Sequence, residues 1–386
     1  MRTALEAIFW LSCALIVWTQ LGYAVALALI ARLRRAPAAG AGDGSQEGVL
    51  PTLSLIVAAH DEEAVIAAKV LNALALDYPR ERLEVIVACD GCSDATAERA
   101  RRAGADVVLE LTRGGKIRAQ DTAVERSRGE ILAFSDANAL WEPGAARALV
   151  GAFADVGVGY ACGQVAFVQA ATGADAVNQE GVYWRYEMAV RSLESRLSSI
   201  TAGNGAIYAT RRSAYIVVDP IMGHDLSLPF NMVKRGLRAV YVPGARASEK
   251  MVPSLGGEFA RKRRMMSHTW PILVRGGMLS PRGYPPGYAA MIFSHRLLRY
   301  ATPGLHLLAL AANIALLLGG ASSLYVVTLA LQLGLLAAGA LAGPVPARPL
   351  LLARYYVLTT ASPAAGLWDW LRHGTDAAWE AAEGTR

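Results

Sequence analysis

Residues 53–96 read LSLIVAAHDEEAVIAAKVLNALALDYPRERLEVIVACDGCSDAT. Leu53 to Ala59 is an apolar run with the length of a buried strand. Asp61 to Leu76 carries its apolar residues at helical spacing, and Leu83 to Cys89 is a second buried run. The alternation continues downstream. Asp94 to Ala103 is helical, Val107 to Leu111 is a short strand, Lys116 to Ser127 is helical, and Ile131 to Phe134 is a strand again. Strands that alternate with helices predict an α/β domain built on a mostly parallel, Rossmann-like sheet with right-handed crossovers.

The residues just after these strands point to a site. His60, Asp61 and Glu62 come after the first strand, Asp90 and Gly91 after the second, and Asp136 and Asn138 after the fourth. In open α/β sheets ligands bind beyond the carboxyl ends of the strands. Asp136-Ala137-Asn138 alone would be explained by turn chemistry. In company with the other two strand ends, it predicts an oxygen-rich edge for a divalent cation and the phosphates of a nucleotide.

The rest of the chain is membrane-like. The 386 residues are 54% hydrophobic and 18% charged, too apolar for an ordinary soluble enzyme. Ala7 to Ala31 carries no charge, and a second uncharged stretch runs from Ala301 to Ala347, broken near Gly319-Gly320. Each half is close to the roughly 20 residues that cross a bilayer as a helix. A weaker stretch, Leu350 to Leu371, is interrupted by Arg354, Pro363 and Asp369 and could cross or lie along the surface. Arg32, Arg34 and Arg35 come directly after the first segment, which is too long for a signal peptide. They place the middle region in the cytoplasm, at the cell (inner) membrane.

The expected division is a transmembrane helix at 1–35, an Ala/Gly-rich linker at 36–50, and a catalytic domain at 51–275. Interfacial helices occupy 276–300, two transmembrane helices 301–347, and the third hydrophobic segment with a tail 348–386. Much of the net charge of +6 sits in Arg261-Lys262-Arg263-Arg264 and in Arg275, Arg282, Arg296 and Arg299. Such a cluster beside a membrane block attracts anionic lipid heads, and no nucleic-acid partner is expected. Cys89 and Cys92 have CxxC spacing without a second ligand pair, so they are expected to be reduced thiols and not a zinc site.

Ser54 to Glu63, Leu76-Asp-Tyr-Pro79 and Glu84 to Thr96 together resemble the opening of family 2 glycosyltransferases, inverting enzymes of the GT-A fold. The likeness extends over roughly residues 51–300. Its branch is that of the membrane-bound synthases of cellulose, chitin, hyaluronan and poly-N-acetylglucosamine. The resemblance implies a UDP-sugar donor and Mg2+ or Mn2+. It implies that Asp90 contacts the uracil or ribose, with Cys89 standing where the family has a further Asp. Gly115-Lys116 resembles the element near the diphosphate. Asp136 and Asn138 stand at the two ends of the metal motif, where the amide of Asn138 brings an oxygen but no charge. Gly203-Asn204-Gly205 resembles the turn beside the donor sugar. His224-Asp225 matches the catalytic acid pair, with Asp225 as the base. Arg261 to Met265 stands at the family's Gln-x-x-Arg-Trp motif, with Arg261 for Gln and Met265 for Trp. His60 and Glu62, at the same sheet edge, complete the expected nucleotide-sugar-binding set.

The chemistry asks for these groups without a family name. A departing diphosphate gains negative charge, which a metal, Lys116 and Arg264 would meet. The acceptor hydroxyl must lose a proton, and Asp225 is the candidate base. One base and no evident carboxylate nucleophile predict single displacement with inversion. The leading expectation is a synthase that elongates a polysaccharide, with a homo-oligomer or membrane partner adding to the few helices available for a channel. The alternative is transfer of one sugar to a lipid such as a ceramide, a diacylglycerol or a polyprenyl phosphate. The third reading is a non-catalytic nucleotide-sugar-binding subunit.

Overall fold

The computed structural model describes residues 1–34, 50–168, 174–250, 255–345 and 347–377. The expected linker lies outside the described residues except for Leu50, as does the tail beyond Ala377. The catalytic region contains β1 (Leu53–Ala59), α2 (Ile66–Leu74), β2 (Leu83–Asp90), α3 (Thr96–Arg102), β3 (Val107–Leu111), α4 (Lys116–Arg126) and β4 (Ile131–Asp136). Then come β5 (Leu140–Trp141), α5 (Ala145–Gly151), β6 (Val158–Val168), α6 (Ala174–Leu197), β7 (Ile207–Arg211), α7 (His224–Lys234), β8 (Arg238–Lys250) and α8 (Leu255–Val274). Before them lies α1 (Arg2–Leu33), which contains a π-helical stretch at Trp18–Gly22.

The eight strands form one sheet in the order β3-β2-β1-β4-β7-β6-β8-β5. β3, β2, β1 and β4 run parallel, and β7 is antiparallel to β4. This is the mixed, Rossmann-like sheet of the GT-A fold. The chain steps outward from β1 to β2 and β3, then returns to place β4 on the other side of β1. That reversal opens the crevice in which such sheets bind ligands. Ala58 pairs with Asp136 across it. Both faces of the parallel strands are covered, one by a cluster that includes Leu55, Val85, Ala133 and Trp141, the other by one that includes Ile56, Ile86, Phe134 and Tyr208. Burial on both faces explains why β1, β2 and β4 read as largely apolar runs.

Two boundaries differ from expectation. The helix foreseen from Asp61 begins only at Ile66. Asp61 adopts a positive φ of 50°, and its carboxylate accepts from the Ser93 N–H at 2.7 Å. The Glu63 N–H donates to Asp94 at 3.0 Å. His60 to Glu63 is therefore a loop held by the loop after β2. The second difference concerns the segment 276–300, expected to be interfacial. α9 starts at Pro286 and runs to Leu318 as one 33-residue helix, with a π-helical stretch at Ile292–Leu297. His295 and Arg296, expected on a surface helix, are 1% and 8% exposed, because the π turn faces both inward.

Among the described residues, three helices are long and apolar enough to cross a membrane: α1, α9 and α10 (Ser323–Leu341). They expose large apolar side chains such as Leu11, Leu307 and Leu331. The last helix, α11 (Arg348–His373), packs along α8 and also along α10 and α9. Arg263 donates twice to Asp369 at 2.6 Å, Lys262 donates to the Tyr355 hydroxyl at 2.9 Å, and the Trp270 indole donates to the Pro363 carbonyl at 2.9 Å. The basic face expected to attract lipid heads is thus partly occupied by this helix.

Candidate active site

β4 ends on Asp136, and α4 begins with Lys116. The two side chains form an ion pair, 17% and 23% exposed, at the crevice between β1 and β4. Lys116 also lies near Gly205, where an added Cβ would be 3.8 Å from its Nζ. After Asp136 the chain turns, with the Ala139 N–H donating to the Asp136 carbonyl at 3.2 Å. Asn138 sits in that turn. α2 clamps the turn from beneath: Lys69 Nζ donates to the Ala139 carbonyl at 2.6 Å, and the Asn72 amide bonds both the N–H and the carbonyl of Trp141 at 2.9 Å.

Asp90 is 3% exposed at the end of β2. Its two carboxylate oxygens accept from the N–H groups of Gly114 and Gly115, at 2.7 and 2.9 Å. Its carboxylate thus shapes the turn that leads into Lys116. His60 Nδ1 bonds the Asp90 carbonyl at 2.7 Å, and Glu62 is 8% exposed with its N–H on the Thr96 hydroxyl at 2.8 Å. A depression of about 280 Å3 opens beside them, lined by Cys89, Cys92, Asp94, Glu110 and Thr112 among others. Cys89 and Cys92 are both free thiols. His60, Asp61 and Cys92 bring ligand atoms within 4.8 Å of one another, a grouping with no spacing signature in the sequence. The chain also returns to this edge from its far end. The Thr375 hydroxyl donates to the Ser267 carbonyl at 2.9 Å, and the Ala377 carbonyl lies against Gly115.

The second half of the site comes from the β7 and α7 region. The Gly203 N–H donates to the Asp225 carbonyl at 2.6 Å, and the Ala206 N–H donates to the Asn204 side chain at 3.2 Å. The turn Gly203-Asn204-Gly205 is therefore joined to the first turn of α7. A Cβ at position 203 would strike the Tyr160 hydroxyl, so only glycine allows this approach. Asp225 is half-buried, and its charge acts on Tyr160, Tyr208 and His268. His268 also feels Arg264 and Asp376, which brings Arg264 to the Asp225 side of the site. Its neighbour His224 is 2% exposed, with Nδ1 at 2.9 Å from the Tyr208 hydroxyl. Burial, together with the charge of Lys116, pushes this imidazole down to about 3, so it is neutral near pH 7.

Two groups without a motif join the site. Lys69 is fully buried in α2, where desolvation lowers its ammonium to about 7 against the opposing pull of Asp136 and Glu249. Glu249, near the end of β8, is pushed up to about 7 by burial and then by Asp136, while Lys116, Arg261 and Lys69 oppose the shift. Arg261 thus belongs to the Asp136 side. Lys69 stands out in the sequence as the one charge in the apolar run IAAKVLNAL. Glu249 has no such signal, because it lies at the end of an ordinary strand.

The profile of the family described as Glycosyltransferase like family 2 matches residues 51–267, more than half of the chain. The chain belongs to this family. It is thus a family 2 glycosyltransferase. Among curated relatives, the transferase is 39% identical over 100 residues to the beta-monoglucosyldiacylglycerol synthase of Trichormus variabilis, across 24% of this chain and 21% of that protein. It is 27% identical over 237 residues to an N-acetylglucosaminyltransferase of Bradyrhizobium diazoefficiens, across 55% of this chain and 47% of that one. The chain thus spans about a fifth to a half of the length of these relatives. The mannosyltransferase PcManGT from Pyrobaculum calidifontis, solved with GDP-Man and Mn2+, superposes with a TM-score of 0.71 at 24% identity. The superposition covers 95% of this transferase and 99% of that chain, so the shared fold includes the flanking helices.

Proposed function

We propose that this glycosyltransferase moves one sugar from a nucleotide diphosphate, UDP-sugar in the first instance, to the hydroxyl of a membrane lipid, with inversion at the anomeric carbon. The observation that carries the lipid acceptor is the seating of the candidate base. Met222 and Leu226, on either side of Asp225 in sequence, belong to an apolar cluster with Tyr23 and Leu27 of α1 and Met291 and Ile292 of α9. The proton acceptor therefore stands at the junction with helices apolar enough to cross a bilayer. Three such helices among the described residues also suit lipid access better than a polysaccharide channel. The Trichormus relative, a beta-monoglucosyldiacylglycerol synthase, supports the same reading. Elongation of a polysaccharide is the second reading, motivated by the Arg-rich stretch Arg261 to Arg264 and the apolar helices that follow it.

The work is divided among the residues along the crevice. Asp90 holds the Gly114-Gly115 turn, with His60 and Glu62 beside it, and the nucleotide lies along this edge. Lys116 and Arg261 face the diphosphate, with Arg264 approaching from α8. Gly203 and Asn204 give the donor sugar a close backbone wall. Asp225 takes the proton of the attacking hydroxyl. Asp136 and Asn138 offer oxygens suited to a hard divalent cation, Mg2+ or Mn2+. Such an ion would supply positive charge to the departing diphosphate. Arg32 and Arg34 after α1 support a cytoplasmic placement of this site at the inner membrane.

The test uses full-length protein in nanodiscs with radiolabelled UDP-sugars and extracted lipids. A single-sugar lipid product is expected, and Asp225→Asn should lose turnover by about 100-fold or more while UDP still binds. A labelled polymer would select the second reading. Undiminished turnover in Asp225→Asn would reject Asp225 as the base.

A further inference from the structure

We propose that Glu249 supplies the second acid of the divalent-cation site, the charge that Asn138 lacks. The inference rests on the proposed metal-assisted transfer. Its geometry comes from β8. Successive strand residues face opposite ways, so Ala245, Ala247 and Glu249 share one face. Ala245 and Ala247 are buried in the cluster that contains Trp141, so that face points into the molecule. β5 pairs antiparallel with β8, with Leu140 opposite Ser248 and Trp141 opposite Ala247. Continuing that register places Glu249 beside Ala139, one residue after Asn138. The charged groups acting on Glu249 are Asp136, Lys116, Arg261 and Lys69.

Two carboxylates brought together in a half-buried place repel each other unless cations lie between them. Of the three cations acting on Glu249, two are engaged elsewhere and Arg261 approaches from α8. Lys116 pairs with Asp136, and Lys69 donates to the Ala139 carbonyl from below the turn. Glu249 Oε1 is shielded from solvent and has no hydrogen-bond partner among the described residues. A shielded carboxylate oxygen without a donor is costly, and it is what a hard cation requires. With Asp136 and Glu249 ionised, the site offers two negative charges plus the Asn138 carbonyl oxygen. That equals the charge of a motif with acids at both ends. The second acid then comes from β8 and not from the β4 turn.

The test is Mn2+ binding, read by electron paramagnetic resonance of the free ion, for the full-length protein in detergent with and without UDP or GDP. Glu249→Gln is expected to weaken Mn2+ binding about tenfold or more, with UDP binding in the absence of metal unchanged. Adding Asn138→Asp to that variant is expected to restore Mn2+ affinity, because it returns the missing charge. Wild-type affinity in Glu249→Gln would overturn the inference and leave the metal reading standing. Loss of binding that Asn138→Asp does not restore, together with a lowered melting temperature, would make Glu249 a structural anchor and likewise overturn it. Wild-type protein that binds no Mn2+ with either nucleotide would overturn both.

Discussion

Replacing Glu194 by alanine should undock the α/β domain from the apolar helices α1 and α9. Glu194 is 0% exposed. Its carboxylate accepts from the Tyr23 hydroxyl of α1 at 2.7 Å, the Thr201 N–H at 3.0 Å, the Thr201 hydroxyl at 3.1 Å and His295 Nδ1 of α9 at 2.7 Å. Arg296 completes the circuit by donating to the Thr201 hydroxyl at 2.9 Å. Glu187 pairs with Arg299 on the same helix face. One carboxylate thus ties α1 and α9 to the residue that precedes Ala202-Gly203-Asn204. Removing one member of a buried charged network costs about 3–5 kcal/mol, since the partners stay buried without their anion. Tyr23→Phe removes a single hydrogen bond to a charged group, about 1.5–3 kcal/mol. The two changes share a contact, so their double mutant should fall short of additivity by about 1 kcal/mol. The assay is thermal unfolding of the full-length protein in detergent, with turnover measured beside it. Glu194→Ala should lower the midpoint by about 10 °C and reduce turnover through the loosened Thr201 to Asn204 segment. A loss below about 1 kcal/mol, with Tyr23→Phe strictly additive, would refute the reasoning.

Other substitutions probe the site directly. Gly115 has φ 92° and ψ 159°, a region that only glycine enters readily. Gly115→Ala should cost about 1–3 kcal/mol from the backbone alone, read as a lowered unfolding midpoint; an unchanged midpoint would contradict the turn geometry. His224 is held near 3 in the folded protein against an ordinary value of 6.5. Its unfolded form binds the proton first, so this residue's stabilising share is complete above about pH 6.5 and is lost as the pH falls toward 3, at about 1.4 kcal/mol per unit. His224→Gln should flatten that part of the stability profile, and an unaltered acid slope would show that His224 is not the group responsible.

The parallel half of the sheet was legible in the sequence. β1 and β3 have the boundaries read from the apolar runs; β1 is buried on both faces and so is apolar almost throughout, while β3 is the half-buried edge strand. The polar residues that end β1, β2 and β4 could be assigned to one edge for the same reason, since parallel strands finish on the same side. The helices long and apolar enough to cross a bilayer were legible from length and apolar content.

What the sequence could not decide were the contacts made across long separations. Tyr23 meets Glu194 across 171 positions, and His295 meets it across 101. Neither contact leaves a local period to detect, and the π turn that buries His295 and Arg296 has an ordinary helical composition. α11 carries enough apolar residues to suggest a span, yet Asp369 and Tyr355 find partners on α8. Asp61 left the helix because its carboxylate had a better partner in the loop after β2. The Asp-Ala-Asn turn suggests a cation site from sequence, but the charge around Asp136 also comes from Lys116, Lys69 and Glu249, which only folding brings to the turn. Local pattern records which face of an element must be dry; which polar groups then meet in the dry interior depends on how the elements pack.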